Sequence, residues 1–592
     1  MKKNRCSPPS GCFQHTGSFS FMRAEFFRPQ MQAFAKHRPK PTFAGMKKAI
    51  FICLLAVLQL CTFEQAQGKK SRTQPRLMIG IVVDQMRYDY LERFSAHFTD
   101  NGFRRLMQKG YSFDNCHYNY IPTYTAPGHA SIFTGTTPAV HGMVSNVWWN
   151  SETRRMQYCT SDERYSGVGS NGDEGKMSPA SLKSSTIGDM LRLSNNRRSR
   201  VFGISLKDRS AILPAGHAAN AAYWFDGKGG AFISSNYYMK ELPAWVNKFN
   251  ALRYPEMYLN QPWNLLLAPE KYRECLPDSN GFEKSFTSKP AVFPHDLKSA
   301  FGEKKNFDLL RETPYGNSFL KDFAIELFRN EKPGMGEVYD FVSISFSSTD
   351  YVGHRFGVSS METEDTYLRL DRDLSELFSF LDSTYGKQGY TLFLTADHGA
   401  CEVPAYLNTM GIPGGYFPTR ACLDSLHRFS VRTFGADLVD TMDNNMVYLQ
   451  SSKPYPAGWS REAVSARLAD YLMMWKGISA ALTSGELRSA QFSDIPRSLM
   501  QQGFYKKRGG DVLFCLEPGW MDYPKKGSTH GSSFSYDTRV PLLFYGKGIP
   551  SGRTSQHVCI TDIAPTVCRF LQVAFPDGCT GNPLNDIFVI PH

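Results

Sequence analysis

No two of the 13 cysteines in this 592-residue chain are spaced C-x-x-C. That excludes a thiolate metal site of the zinc-finger kind. Long apolar runs are missing too. The run Ala49 to Leu60 is about a dozen residues, short of the roughly 20 that a membrane-spanning helix needs. There is no internal repeat, heptad array or low-complexity tract, so solenoids and coiled coils are excluded. Charged residues are 21% and hydrophobic residues 42%, ordinary globular values that exclude a disordered or collagen-like chain. The formal net charge of +12 invites a nucleic-acid or membrane-surface reading. However, the whole excess lies in residues 1–76, and from 77 to 592 basic and acidic side chains balance. The large body of the chain has no net charge with which to seek a polyanion.

The front end divides into three pieces. Met46-Lys47-Lys48, the apolar run and the small polar exit Ala66-Gln67-Gly68 predict a secretory signal peptide over 46–67. Cys61 would suit a lipoprotein signal, but Leu60 stands where a small residue is needed. Residues 1–45 precede a good start at Met46 and carry no apolar periodicity, so they read as an over-extended start. Residues 68–76 form a basic linker. The body, 77–592, is expected to be one catalytic domain with insertions, in the periplasm or outside the cell. Export permits disulfides among the nine remaining cysteines, though the odd count leaves a free thiol.

In the body, short apolar runs predict buried, mainly parallel strands at Leu77 to Val83, Val201 to Leu206, Phe341 to Phe346, Thr391 to Leu394 and Val540 to Tyr545. Amphipathic segments predict helices at Tyr88 to Gln108, Glu362 to Leu381, Arg461 to Trp475 and Ile560 to Leu571. The alternation predicts an α/β/α sandwich. Turn-rich stretches at Ser166 to Pro179 and Pro404 to Pro418 read as surface insertions that shape a pocket.

Four strands run directly into polar, ligand-type residues. Val83 leads to Asp84, Phe346 to Asp350, Leu394 to Asp397-His398, and Leu206 to Lys207-Asp208-Arg209. Ligands of open α/β sheets bind at the carboxyl ends of strands. Asp350 and His354 have i, i+4 spacing, so a helical turn would aim both side chains the same way, with Gly353 relaxing that turn. Asp84, Asp350, His354, Asp397, His398 and His530 make a mixed imidazole–carboxylate set that suits zinc better than manganese or iron. Six ligands divide into two sites of three, as a two-metal hydrolytic centre requires. Any one of these residues taken singly is commonly structural; the set at strand ends is what points to a metal centre. Thr125, in Thr-Ala-Pro-Gly-His just before an apolar helical stretch, reads locally as an N-cap. Beside two metals it becomes a candidate nucleophile at an anion-favouring helix N-terminus.

In order, Asp84, Thr125-Ala-Pro-Gly-His, Asp350-xxx-His354, Asp397-His398-Gly and His530-Gly-Ser resemble the alkaline phosphatase superfamily, closest to its secreted bacterial, Thr-nucleophile branch. The resemblance runs from about Leu77 to the C-terminus and implies the superfamily's α/β/α sandwich with a cap built from insertions. It implies one zinc on Asp350, His354 and His530, and a second on Asp84, Asp397 and His398 with Thr125 bound. It also implies that Asn146 and Arg209 meet the phosphoryl oxygens and that Lys207 stabilises charge in the transition state.

The implied activity is phosphate-monoester hydrolysis through a phosphothreonine. The implied partners are small phosphate monoesters, with no nucleic acid beyond nucleotide substrates and no stable membrane insertion; a monomer is compatible with all of this. Sulfatases of the superfamily need a Cys/Ser-x-Pro-x-Arg context that is absent around Thr125. Nucleotide pyrophosphatase/phosphodiesterases share the metals and the Thr, and Lys207 with Arg209 argues against them, since a monoester offers more oxygen charge to bind. A non-catalytic phosphate- or glycan-binding protein is a further alternative. His129, His141, Asp89 and Asp208 are expected to be structural.

Overall fold

A computed structural model describes residues 76–588. The upstream stretch 1–45, the signal peptide 46–67 and all but the last residue of the linker lie outside the described residues. Eleven strands form one large sheet. At its centre Leu77–Val83 lies parallel between Thr391–Thr395 and Asp340–Phe346, with Ile81 opposite both Leu394 and Ile344. Val201–Ser205 and Ala221–Asp226 continue the parallel run. Every residue of these five strands is buried. Strands covered on both faces have no polar side to present, which is why they read as continuous apolar runs rather than alternating ones.

The sheet is completed by antiparallel strands, of which the apolar-run criterion finds only the one near Val540 to Tyr545. Leu542–Gly546 pairs antiparallel with Thr391–Thr395, and Tyr111–His117 pairs with it in turn. On the other edge Ala231–Ser235 runs antiparallel to Ala221–Asp226. The predicted strand Val540 to Tyr545 is interrupted at Pro541, which has no N–H for the ladder. The predicted helix Tyr88 to Gln108 is three pieces: Tyr90–Arg93, a 3-10 turn at Ser95–His97 and Phe103–Lys109. The break is held by the Asp371 carboxylate, which accepts from the amides of Thr99 (2.6 Å) and Phe103 (2.7 Å). Met361–Tyr385 forms the long helix expected near Glu362 to Leu381, and Ile563–Leu571 follows a 3-10 turn.

The predicted helix from Arg461 belongs elsewhere. Arg461–Leu472 packs Val464, Leu468 and Leu472 against a separate four-stranded antiparallel sheet of Val439–Asp443, Met446–Leu449, Val512–Leu516 and Ile478–Thr483. This inserted layer, with helix Thr419–Phe434, has its own apolar core. It is the cap-like insertion that the sequence led us to expect. Ser166 to Pro179 adds a two-residue strand to the sheet edge, and Pro404 to Pro418 folds as a short helix and a strand paired to Trp520–Met521. All nine cysteines from Cys116 onward are unpaired.

Candidate metal centre and phosphoryl site

The strands deliver their carboxyl-end residues to one place. Asp84 and Asp397 are completely buried and Asp350 nearly so. Asp350 and His354 lie on helix Ser348–Phe356, with His354 Nε2 3.1 Å from Asp350 Oδ1. His530 Nε2 reaches the same oxygen at 3.6 Å. Asp350, His354 and His530 therefore make one group whose ligand atoms lie within 4.8 Å of one another; Asp84, Asp350 and His398 make another. Asp397 borders the second group, with Oδ2 3.5 Å from His398 Nε2. The structure thus places Asp350 between both groups, whereas the family pattern divides the six residues three and three.

Each imidazole is oriented by a backbone carbonyl. His354 Nδ1 pairs with Ser528 O (2.7 Å), His530 Nδ1 with Thr123 O (2.7 Å) and His398 Nδ1 with Gly399 O (3.0 Å). A carbonyl can only accept, so the proton sits on Nδ1 and the Nε2 lone pair faces the centre, as a metal ligand requires. Burial, reinforced by His354, pushes His530 down to about 3, and burial with His530 pushes His398 well down, so both stay neutral. Burial and the carboxylates of Asp350 and Asp397 push Asp84 well above its ordinary value. Burial likewise raises Asp397 to about 7, opposed by Lys207 and reinforced by Asp350.

Asp84 Oδ1, Asp397 Oδ2 and His398 Nε2 are buried with no hydrogen-bond partner. Buried polar atoms left without a partner are costly. Three of them converging, all electron-pair donors, fit a divalent cation.

Lys207 stands among these carboxylates. Its Nζ is 2.6 Å from Asp84 Oδ2 and 2.6 Å from Asp350 Oδ2. Burial opposes its charge, but Asp350 and Asp84 hold it above the usual lysine range. Arg209 points its Nη1 at the Tyr158 hydroxyl (3.0 Å), which in turn donates to Asp208 Oδ1 (2.7 Å), and Arg209 Nε has no partner. Thr125 opens helix Thr125–Thr134 and is 1% exposed. Asn146 Oδ1 accepts from the Ala126 amide at 2.8 Å, which ties it to the turn that carries Thr125. The helix lies directly on Asp397: a Cβ on Gly128 would come within 2.3 Å of the Asp397 carbonyl.

Two residues escaped the sequence reading. Gln85 holds a left-handed φ of 62°, donates its amide to Asp397 Oδ1 (3.1 Å) and its Nε2 to Asp350 Oδ1 (2.8 Å). Nothing in the sequence beyond its place after Asp84 signals this. His129, expected to be structural, lies 3.3 Å from Asp397 Oδ2 and also meets Thr125 O and Ser345 Oγ. Asp208 fixes Tyr158, and so acts one step from Arg209. His141 meets Ser131 and the Met143 amide, and Asp89 pairs with Arg87, both away from the centre. Gly353 has a different reason from the one expected: a Cβ there would lie 1.9 Å from Gln85 Oε1.

A parallel sheet whose strand ends converge on buried imidazoles and carboxylates with unpartnered lone pairs defines an α/β metallohydrolase. Comparison with known proteins narrows the class. The family model described as type I phosphodiesterase / nucleotide pyrophosphatase matches residues 78–536. A Myroides odoratus protein named calcium-transporting ATPase is 41% identical over 87% of this chain and 94% of its own. Alkaline phosphatase PhoV of Synechococcus elongatus is 40% identical over 91% of this chain and 100% of its own. Alkaline phosphatase PafA of Elizabethkingia meningoseptica is 39% identical over 90% of this chain and 98% of its own. The PafA crystal structure matches with a TM-score of 0.84, covering 88% of this chain and 100% of that one. The chain belongs to the type I phosphodiesterase / nucleotide pyrophosphatase family, within the alkaline phosphatase superfamily, as the ordered motifs implied.

Proposed function

We propose that the protein is a secreted, zinc-dependent alkaline phosphatase that hydrolyses phosphate monoesters through a phosphothreonine on Thr125. The observation that carries this reading is the pair of donor groups, one of them with unpartnered lone pairs on Asp84, Asp397 and His398, packed against the helix that Thr125 opens. Asp350, His354 and His530 would hold one zinc, and Asp84, Asp397 and His398, with the Thr125 oxygen, the other. Bound zinc supplies charge neutralisation and lowers the pKa of coordinated hydroxyls.

The chain's own residues do the rest. Thr125 Oγ1, its hydroxyl proton given up to solvent, forms a bond to phosphorus in line with the leaving oxygen, which departs with the electron pair of its P–O bond and takes up a proton from water. Water then breaks the phosphothreonine and releases phosphate. Asn146, held by the Ala126 amide, and Arg209, held by Tyr158, donate to the non-bridging oxygens. Lys207 opposes the upward shifts of Asp84 and Asp397 and adds positive charge beside the phosphoryl group. A solved PafA variant carries substitutions at a Thr, an Asn, a Lys and an Arg, the same four residue types in the same order as Thr125, Asn146, Lys207 and Arg209.

A phosphodiesterase is the second reading, favoured by the name of the family model. The three cationic and amide donors support the monoester. A binding-only role is disfavoured because all six ligand positions and Thr125 are present. No helix among the described residues is long and apolar enough to cross a membrane; export rests on the 46–67 signal.

The test is turnover of an aryl phosphate monoester and an aryl phosphodiester at equal concentration, in wild type, Thr125→Ala and Thr125→Ser. The monoester should be cleaved faster, Thr125→Ala should abolish turnover and Thr125→Ser should keep part of it. Faster diester cleavage moves the activity to a phosphodiesterase, and near-normal rates in Thr125→Ala remove the nucleophile.

A further inference from the structure

The neutral body of the chain hides a local excess of positive charge. A groove of about 950 Å³ runs between the hairpin Val147–Asn150/Arg155–Tyr158, which begins just after Asn146, and the inserted layer. Arg164, Lys183, Arg461, Arg488, Lys506, Lys507 and Arg508 line it, against Glu152, Asp162, Glu462 and Asp511. Two of the cations are compensated: Arg164 pairs with Asp162 (2.7 Å) and Arg461 with Asp511 (2.6 Å). The other five make no ion pair among the described residues.

Arg508 is the most telling of the five. Its guanidinium is partly buried, bonds only to the main-chain carbonyls of Gly142 and Ser181, and lies 4.6 Å over the Trp148 ring and 5.6 Å over Tyr505. Fixed by packing rather than by a carboxylate, it keeps its full charge for something else. Lys183 feels its neighbours: burial, then Arg508, Lys507 and Arg164, lower its pKa. Seven cations against four carboxylates leave positive charge in excess even with Glu152 and Glu462 counted against it, and an anion spanning the cations relieves their mutual repulsion.

We propose that this groove is a docking site for a chain of phosphates, such as inorganic polyphosphate. One phosphate is met by one or two cations, whereas five unpaired cations on two facing walls suit several linked phosphates. The groove does not suit nucleic acid. Single strands dock by stacking bases on free aromatic faces. Here Trp148 is 3% exposed beneath Arg508, Phe504 is 7% exposed, and the half-buried Tyr505 ring is also covered by Arg508. The binding does not depend on Thr125 being the nucleophile, and turnover of a small monoester reports separately on that reading.

The experiment is calorimetric titration of the full chain with medium-chain inorganic polyphosphate, orthophosphate and a single-stranded oligonucleotide of equal charge. It is repeated on Lys183→Ala/Lys506→Ala/Lys507→Ala, and on the charge-matched control Lys289→Ala/Lys298→Ala/Lys387→Ala. All six lysines are exposed, so both variants should fold, and thermal melting checks it. We expect polyphosphate to bind far more tightly than orthophosphate, with affinity falling as salt rises. The groove variant should lose about tenfold or more in affinity and show a shallower salt dependence. The control variant and the aryl phosphate kcat/KM of both variants should be unchanged. Equal loss in both variants, no preference over orthophosphate, or equal binding of the oligonucleotide would overturn the proposal.

Discussion

Replacing Gly353 with alanine tests whether the metal centre is shaped by a residue that holds no metal. The position lies inside helix Ser348–Phe356, between Asp350 and His354. Judged by helix propensity alone, alanine should stabilise by roughly 1 kcal/mol. The structure reverses that sign. The new Cβ would stand 1.9 Å from Gln85 Oε1, where carbon and oxygen normally approach to roughly 3.5 Å. The Gln85 backbone cannot yield easily, because its amide is bonded to Asp397 and its φ is already left-handed. Its side chain must swing away, and the 2.8 Å bond to Asp350 Oδ1 breaks.

A hydrogen bond to a carboxylate is worth about 1.5–3 kcal/mol, so the net effect is a loss of roughly 0.5–2 kcal/mol. Outer residues that orient metal ligands typically change metal affinity 10–100-fold. The assay is zinc titration of chelator-stripped protein, read by aryl phosphate turnover, with melting of the loaded protein alongside. Gly353→Ala should need about 10–100 times more free zinc for half-maximal turnover and melt lower. Gln85→Ala should reproduce most of this, and the double variant should be little worse than either, since both remove the same contact. A Gly353→Ala protein that melts higher and loads zinc normally would refute the reasoning.

Two further outcomes follow from the same geometry. Tyr158→Phe removes the hydroxyl that joins Arg209 to Asp208. It should lower monoester kcat/KM by roughly 3–10-fold, about 1 kcal/mol of lost positioning, with little change in melting; unchanged kinetics would separate Arg209 from the phosphoryl site. Metal uptake should also depend on pH. Burial raises Asp397 to about 7 and Asp84 well above its ordinary value, and against burial Asp350 raises His354, so at low pH protons must leave before zinc can bind, whereas His398 and His530 are already unprotonated. Zinc affinity should fall at least about tenfold per pH unit between pH 7 and 5, measured against a competing chelator. A flat profile would show that none of these groups titrates on loading.

The amino-acid sequence by itself determined four of the five central strands, because a strand buried on both faces must be apolar throughout; Ala221–Asp226 was not read. It also marked where each strand ends, because Asp84, Asp350, Asp397-His398 and Lys207 cannot continue such a run. Strand ends in a parallel sheet share one side, so the meeting of these end residues was legible before any geometry. Apart from Leu542–Gly546, the flanking strands were not. Tyr111–His117 and Gly552–Cys559 carry polar residues and are strands because they find partners at the sheet edge.

Only the tertiary structure placed Arg461–Leu472 in the inserted layer, since an amphipathic stripe does not say which sheet it covers. The sharpest divide is inside the site. The i, i+4 spacing of Asp350 and His354 foretold their meeting. Gln85 and His129 became neighbours of Asp397, and Lys207 came between two carboxylates, only through contacts that join segments hundreds of residues apart. The five unpaired cations of the groove likewise come from separate segments of a chain whose body is neutral overall. Their charge is concentrated by folding, and composition averages it away.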